Sequence, residues 1–184
     1  MNLILLSGNS VRNKDWIHEA DLAIQALFTD TFVQNYKHWE SGQPNIDLEA
    51  ELAALRTTVA AIEQPYGIFA KSIGMVLSTQ AIEKGIIKPA FLLYMGAPLG
   101  YIETSYPTFA RVLANAQLPL VIMHNEHDPV GSSSAVQAYL SNTLTDSLPG
   151  YTYIETVGST HDYQDYTLLS GQLDKLIKLT TKKV

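Results

Sequence analysis

Residues 66–79 read Tyr-Gly-Ile-Phe-Ala-Lys-Ser-Ile-Gly-Met-Val-Leu-Ser-Thr, and the reading of this stretch decides the fold. A short apolar run, Tyr66 to Lys71, passes through Ser72 into a helix-like run that begins at Ile73. Ser72 has a small side chain two residues away on each side, Ala70 and Gly74. A strand that turns abruptly into a helix at a serine needs such neighbours, because larger Cβ substituents would crowd the turn while the serine hydroxyl is held clear of the sheet. Glycine is usual at both flanks, and Ala70 departs from that at the less demanding end.

Working outward, the elements alternate. Asn2–Leu6 is a continuous apolar run of the kind buried on both faces of a parallel sheet, and it ends in Ser7-Gly8-Asn9-Ser10. A helix is predicted over Asp15–Phe28, a strand over Thr31–Trp39, and a second helix over Asp47–Glu63, stopped by Gln64-Pro65. After the elbow helix, Ile73–Lys84, comes a strand over Pro89–Tyr94. The stretch Met95-Gly96-Ala97-Pro98-Leu99-Gly100-Tyr101 reads as a loop, because its glycines and proline continue neither element. A short helix over Thr108–Ala116, a strand over Leu118–Met123, a helix over Ser132–Leu144, a strand over Tyr151–Val157 and a closing helix over Asp165–Thr180 complete the chain. Such alternation implies a three-layer, doubly wound parallel sheet of about six strands in a single domain spanning residues 1–184.

Two polar loops follow late strands: His124-Asn125-Glu126-His127-Asp128-Pro129-Val130 and Gly158-Ser159-Thr160-His161-Asp162. A serine at a strand–helix elbow, then an acid after a late strand, then a histidine after the last strand is the chain order of the α/β-hydrolase triad. On these residues the sequence resembles the α/β-hydrolase superfamily, and in length and element order it looks most like the small serine hydrolases of the retinoblastoma-binding protein 9 type. The resemblance implies strand order 2-1-3-4-5-6, a minimal core without a cap domain, and an oxyanion site built from the backbone amides of Asn9 and Ile73, with Ser10 as the alternative to Asn9. It also implies hydrolysis of an ester, thioester or small amide on Ser72.

A serine hydroxyl is a weak nucleophile at neutral pH, so an imidazole must take its proton and return it to the leaving group. His161 is the candidate base. Asp128 is the candidate acid that orients it, with Glu126 as the alternative; Asp162, adjacent to His161, reads as a surface carboxylate. Ser10, Trp39, Tyr94, Met95, Leu99 and Tyr101 are candidate pocket residues, and His38 a candidate pocket wall. His124, Glu126 and His127 have a metal-like spacing but no further ligands at recognisable spacing, so they read as strand-end polar residues and no metal or cofactor is expected. His18 reads as a surface histidine, and Ser132, Ser133 and Ser134 as a helix start with capping hydroxyls.

Twelve Lys and Arg against eighteen Asp and Glu give a formal net charge of −6. That balance argues against a nucleic-acid surface, which depends on clustered basic residues; the cluster of Lys175, Lys178, Lys182 and Lys183 reads as a solvated face. The absence of cysteine excludes disulfides and thiolate metal sites. The first apolar run is too short for a signal peptide and no stretch suits a bilayer, so a cytoplasmic protein acting on a small acyl substrate, without membrane or nucleic-acid partners, is expected. Two other readings remain at this level: a binding or regulatory protein on the same fold without turnover, and a nucleotide-binding domain, the latter weakened because the first loop lacks the G-x-G-x-x-G pattern.

Overall fold

The computed structural model of the chain describes residues 1–144, 148 and 150–181. Six strands, β1 (Asn2–Leu6), β2 (Thr31–Val33), β3 (Tyr66–Lys71), β4 (Leu92–Met95), β5 (Leu120–Asn125) and β6 (Tyr151–Thr156), form one sheet in the order β2-β1-β3-β4-β5-β6. Every pairing is parallel. Parallel strands need crossovers, and helices supply them: α1 (Asn13–Ile24), α2 (His38–Ser41), α3 (Leu48–Ala60), α4 (Ile73–Glu83), α5 (Leu99–Ser105), α6 (Phe109–Ala116) and α7 (Ser133–Leu144); α8 (Tyr166–Thr181) follows β6. Helices α1 and α8 pack together on one face, and α3, α4, α6 and α7 form a chain of neighbours on the other. The result is a minimal α/β-hydrolase fold.

Burial follows position in the sheet. The central strands β1 and β3 are buried at every residue, which is why they read as uninterrupted apolar runs, whereas the edge strand β6 alternates between half-buried and exposed. Helix α4 lies against the middle of the sheet and buries all of Ile73 to Thr79. Helix α3 starts where the Asp47 carboxylate accepts the Ala50 N–H at 3.1 Å, and α7 where the Ser132 hydroxyl accepts the Ala135 N–H at 3.3 Å. On α8, Lys175 and Lys178 are exposed, as a solvated face requires; Lys182 and Lys183 lie outside the described residues. Among the described residues no helix is long and apolar enough to cross a membrane.

Two predicted elements differ. The strand expected over Thr31–Trp39 stops at Val33, and His38 and Trp39 open the short helix α2 instead. Side chains pull the backbone off the ladder: the buried Glu51 carboxylate accepts the Lys37 N–H at 2.8 Å and the Gln34 side-chain amide at 2.7 Å, and the buried Tyr36 hydroxyl donates to the Ser7 carbonyl at 2.9 Å. The expected loop Met95–Tyr101 also contains a helix start. Pro98 precedes α5, and Leu99 and Ile102 turn its apolar face inward despite Gly100.

Candidate active site

Ser72 stands between β3 and α4 with φ 52° and ψ −122°. Ser72 and Gln117 are the two non-glycine residues with positive φ among those described. A side chain held there stores about 1–3 kcal/mol of backbone strain, which the surrounding structure must hold in place. Three hydrogen bonds do so: Ser72 N–H to the Met95 carbonyl at 2.9 Å, Met75 N–H to the Ser72 carbonyl at 2.9 Å, and Gly74 N–H to the Ser7 carbonyl at 3.0 Å. A Cβ on Gly74 would come within 2.7 Å of the Leu6 carbonyl oxygen, so this flank must be glycine. Ala70 is an ordinary strand residue in register with Leu6 and Tyr94, which is why alanine is accepted at the other flank.

The loops after β5 and β6 bring Asp128 and His161 together. His161 Nδ1 lies 2.8 Å from Asp128 Oδ2. Asp128 Oδ2 also accepts the Tyr163 hydroxyl at 2.6 Å, and Oδ1 accepts the Val130 N–H at 2.8 Å. Burial works against the ionised form of Asp128, but the hydrogen bonds from His161, Tyr163 and Val130 outweigh it and hold the carboxyl below its usual range. Burial, reinforced by the neighbouring carboxylate, pushes the Tyr163 phenol up, so it stays a neutral donor. An ionised carboxylate can only accept, so Nδ1 carries a proton. Nε2 is buried and has no hydrogen-bond partner among the described residues. Gly96, with φ +65°, lets the imidazole lie against the β4–α5 turn: a Cβ there would sit 2.9 Å from His161 Cε1.

The alternative acid does not compete. Glu126 is exposed and faces His127 at 3.3 Å. His124 is fully buried with both ring nitrogens engaged, Nδ1 accepting the Ala97 N–H at 3.1 Å and Nε2 donating to the Gly131 carbonyl at 2.6 Å. Burial lowers its pKa, and this neutral ring ties the β4–α5 turn to the acid loop. Asp162 and His18 are exposed, and His18 Nε2 meets Asn35 Oδ1 at 3.1 Å.

Asn9 and Ile73 both border Ser72. Ile73 is the first residue of α4, where a backbone N–H has no acceptor within the helix. Asn9 is anchored on several sides. Its carbonyl accepts from His38 Nε2 at 2.6 Å and Trp39 Nε1 at 3.1 Å, and its side chain accepts the Ile46 N–H at 2.8 Å and donates to the Pro44 carbonyl at 3.2 Å. Ser10 is exposed, and its carbonyl accepts both the backbone and side-chain N–H of Asn13.

Two clefts meet at Ser72 and Asn9. The first, about 640 Å³, is lined by Ser10, Asn13, His38, Trp39, Gln43 and His161 among others; the second, about 460 Å³, by Asn45, Ile46, Ile73, Pro98 and Tyr101. Ser10, Trp39 and Tyr101 therefore line clefts that Ser72 also lines. Tyr94, Met95 and Leu99 do not. Tyr94 is fully buried beneath α4, its hydroxyl 2.8 Å from Ser78 and 3.0 Å from Thr79 of that helix and its ring against Phe109. Met95 alternates to the opposite face, beside Met123 and Tyr163, and Leu99 packs inward from α5 against Gly131.

Sequence reading missed a buried cation beside the serine. Lys71 is 1 % exposed; its Nζ donates to Asn13 Oδ1 at 2.7 Å and sits 4.5 Å from the Trp16 ring centre. Burial lowers its pKa to about 8, against the opposing pull of Asp162 and Asp128. A lysine ending a run of buried strand residues was the available signal. Tyr163 was missed as well, although it stands two residues after His161.

No protein-family model matches the chain, and no curated protein matches it in sequence. Solved structures do match it in shape. A YdeN-like hydrolase of Pectobacterium atrosepticum is 14 % identical with a TM-score of 0.70, over 97 % of this chain and 91 % of that one. Est1E of Butyrivibrio proteoclasticus, solved with ferulic acid, is 12 % identical with a TM-score of 0.69, over 98 % and 89 %. Mouse α/β hydrolase domain-containing protein 10 is 16 % identical with a TM-score of 0.61, over 96 % and 89 %. At such identities the likeness establishes the α/β-hydrolase fold.

Proposed function

We propose that the protein is a serine hydrolase that cleaves an ester, thioester or small amide of a small acyl substrate through an acyl-enzyme on Ser72. The observation that carries this reading is the imidazole of His161: one nitrogen is fixed on a buried carboxylate, and the ring lines the same cleft as a strained serine.

In this mechanism Ser72 Oγ attacks the substrate carbonyl carbon while its proton passes to His161 Nε2. Asp128 holds the Nδ1–H tautomer and stabilises the imidazolium. The amides of Asn9 and Ile73 face the oxyanion, each such donor being worth about 10²–10³-fold in kcat. The carbon–leaving-group bond then breaks, and the proton on Nε2 goes to the departing oxygen, sulfur or nitrogen. Water, deprotonated by the same nitrogen, attacks the acyl-Ser72 ester, and as the carbon–Oγ bond breaks the proton passes from Nε2 to Ser72 Oγ, releasing the acid and the free serine. The likeness in fold to proteins named as hydrolases, and to an esterase domain from Rhodothermus marinus, supports the class of chemistry.

Labelling with a fluorophosphonate probe tests the reading. The folded protein should be labelled on Ser72, and Ser72→Ala should abolish both labelling and hydrolysis of p-nitrophenyl acetate. Hydrolysis undiminished in Ser72→Ala would overturn it.

A further inference from the structure

We infer that the two clefts meeting at Ser72 sort the halves of the substrate: the acyl group lies in the cleft of Ile46, Ile73, Pro98 and Tyr101, and the alcohol departs through the cleft that holds His161. This rests on Ser72 as the nucleophile. In the tetrahedral intermediate the reacting carbon carries Ser72 Oγ, the oxyanion, the alcohol oxygen and the acyl chain. Two of these directions are set by chemistry. The oxyanion must face the amides of Asn9 and Ile73, and the alcohol oxygen must lie within hydrogen-bond reach of His161 Nε2 to receive its proton. His161 lines the first cleft and not the second, while Ile73 lines the second and not the first. The alcohol therefore points into the first cleft, and the acyl chain is left with the second.

The second cleft presents two isoleucines, a proline and the ring of Tyr101, which is 40 % exposed, beside Asn9 and Asn45. The first mixes Ser10, Asn13, His38 and Gln43 with Val11, Trp39, Pro44 and Val130. The two linings are alike in polarity, so the assignment rests on direction alone. Both volumes fall in the range of small-molecule sites, about 300–1,000 Å³. The wall between them is the loop after α2, with Gln43 and Pro44 facing one cleft and Asn45 and Ile46 the other. The Asn9 side chain fixes that wall by bonding to Pro44, Asn45 and Ile46.

Two fillings of this wall test the assignment, Ile46→Trp at a half-buried loop position against the edge of the core and Gln43→Trp at an exposed one. Each variant is assayed for kcat/KM with p-nitrophenyl acetate and hexanoate, which share a leaving group, and with ethyl and glyceryl butyrate, which share an acyl group. Ile46→Trp should lower the hexanoate-to-acetate ratio by about tenfold or more and leave the glyceryl-to-ethyl ratio within about twofold; Gln43→Trp should do the reverse. Exchanged effects, or an acyl ratio unmoved by Ile46→Trp, overturn the assignment while Ser72-dependent hydrolysis persists. Hydrolysis that does not depend on Ser72 removes the nucleophile reading, and this inference with it.

Discussion

Replacing Lys71 with methionine should make the protein more stable at neutral pH and less stable, relative to wild type, at alkaline pH. The Lys71 ammonium has its pKa lowered from 10.5 to about 8 because it is buried. One pKa unit corresponds to about 1.36 kcal/mol, so keeping this charge in the folded state costs about 3 kcal/mol below pH 8. Methionine has a similar unbranched shape and removes that cost, but leaves Asn13 Oδ1 without its donor, a loss of about 1–3 kcal/mol. The two terms leave Lys71→Met ahead by about 1 kcal/mol at pH 7. The pH dependence is sharper. Between pH 8 and 10.5 the folded protein releases the proton while the unfolded chain keeps it, so the unfolded state binds more protons and wild-type stability rises with pH. Urea unfolding of both proteins at pH 7 and pH 10 should show the difference moving towards wild type by about 2–3 kcal/mol. A difference that does not change with pH would mean that no strained charge sits beneath the serine.

Asp128→Asn should keep the fold and lose roughly 10⁴-fold in kcat for p-nitrophenyl acetate, because the new amide donates to Nδ1 and forces the proton onto Nε2; circular dichroism checks the fold and a loss under about tenfold contradicts the assignment. Tyr163→Phe removes the 2.6 Å hydrogen bond to Asp128, a charged-group bond worth about 1.5–3 kcal/mol. Because the folded-state pKa of Asp128 is depressed, its stabilisation is present above the ordinary carboxylate range and is lost as pH falls through the folded value. The variant's deficit in urea unfolding should therefore be full at pH 7 and vanish at strongly acid pH.

The elements that could be read from the sequence are those whose burial is symmetric or whose caps are local. β1 and β3 are buried on both faces and appear as unbroken apolar runs, and Ser72 is marked by Gly74, which a close backbone approach demands. Asp128 and His161 follow strands, so their meeting follows from parallel topology. The errors come from contacts distant in sequence. Nothing near Val33 says that Glu51 will capture the Lys37 amide and turn His38 and Trp39 into a helix beside Asn9. Tyr94 and Met95 adjoin the serine's strand, but which face each takes is set by the register of β4 against β3 and β5. The partition of the clefts was illegible because it depends on the Asn9 side chain reaching 35 to 37 residues along the chain.

The position of β6 has a bearing on heat. Ser72 is rooted between two fully shielded strands, whereas His161 hangs from a rim strand that is hydrogen-bonded on one side and wetted along its length. Rim segments open locally at lower free energy than the interior does. Warming would therefore loosen the segment that carries His161 while most of the sheet is still intact, and cooling would restore it, so that the first thermal change in this molecule is a reversible one well short of melting.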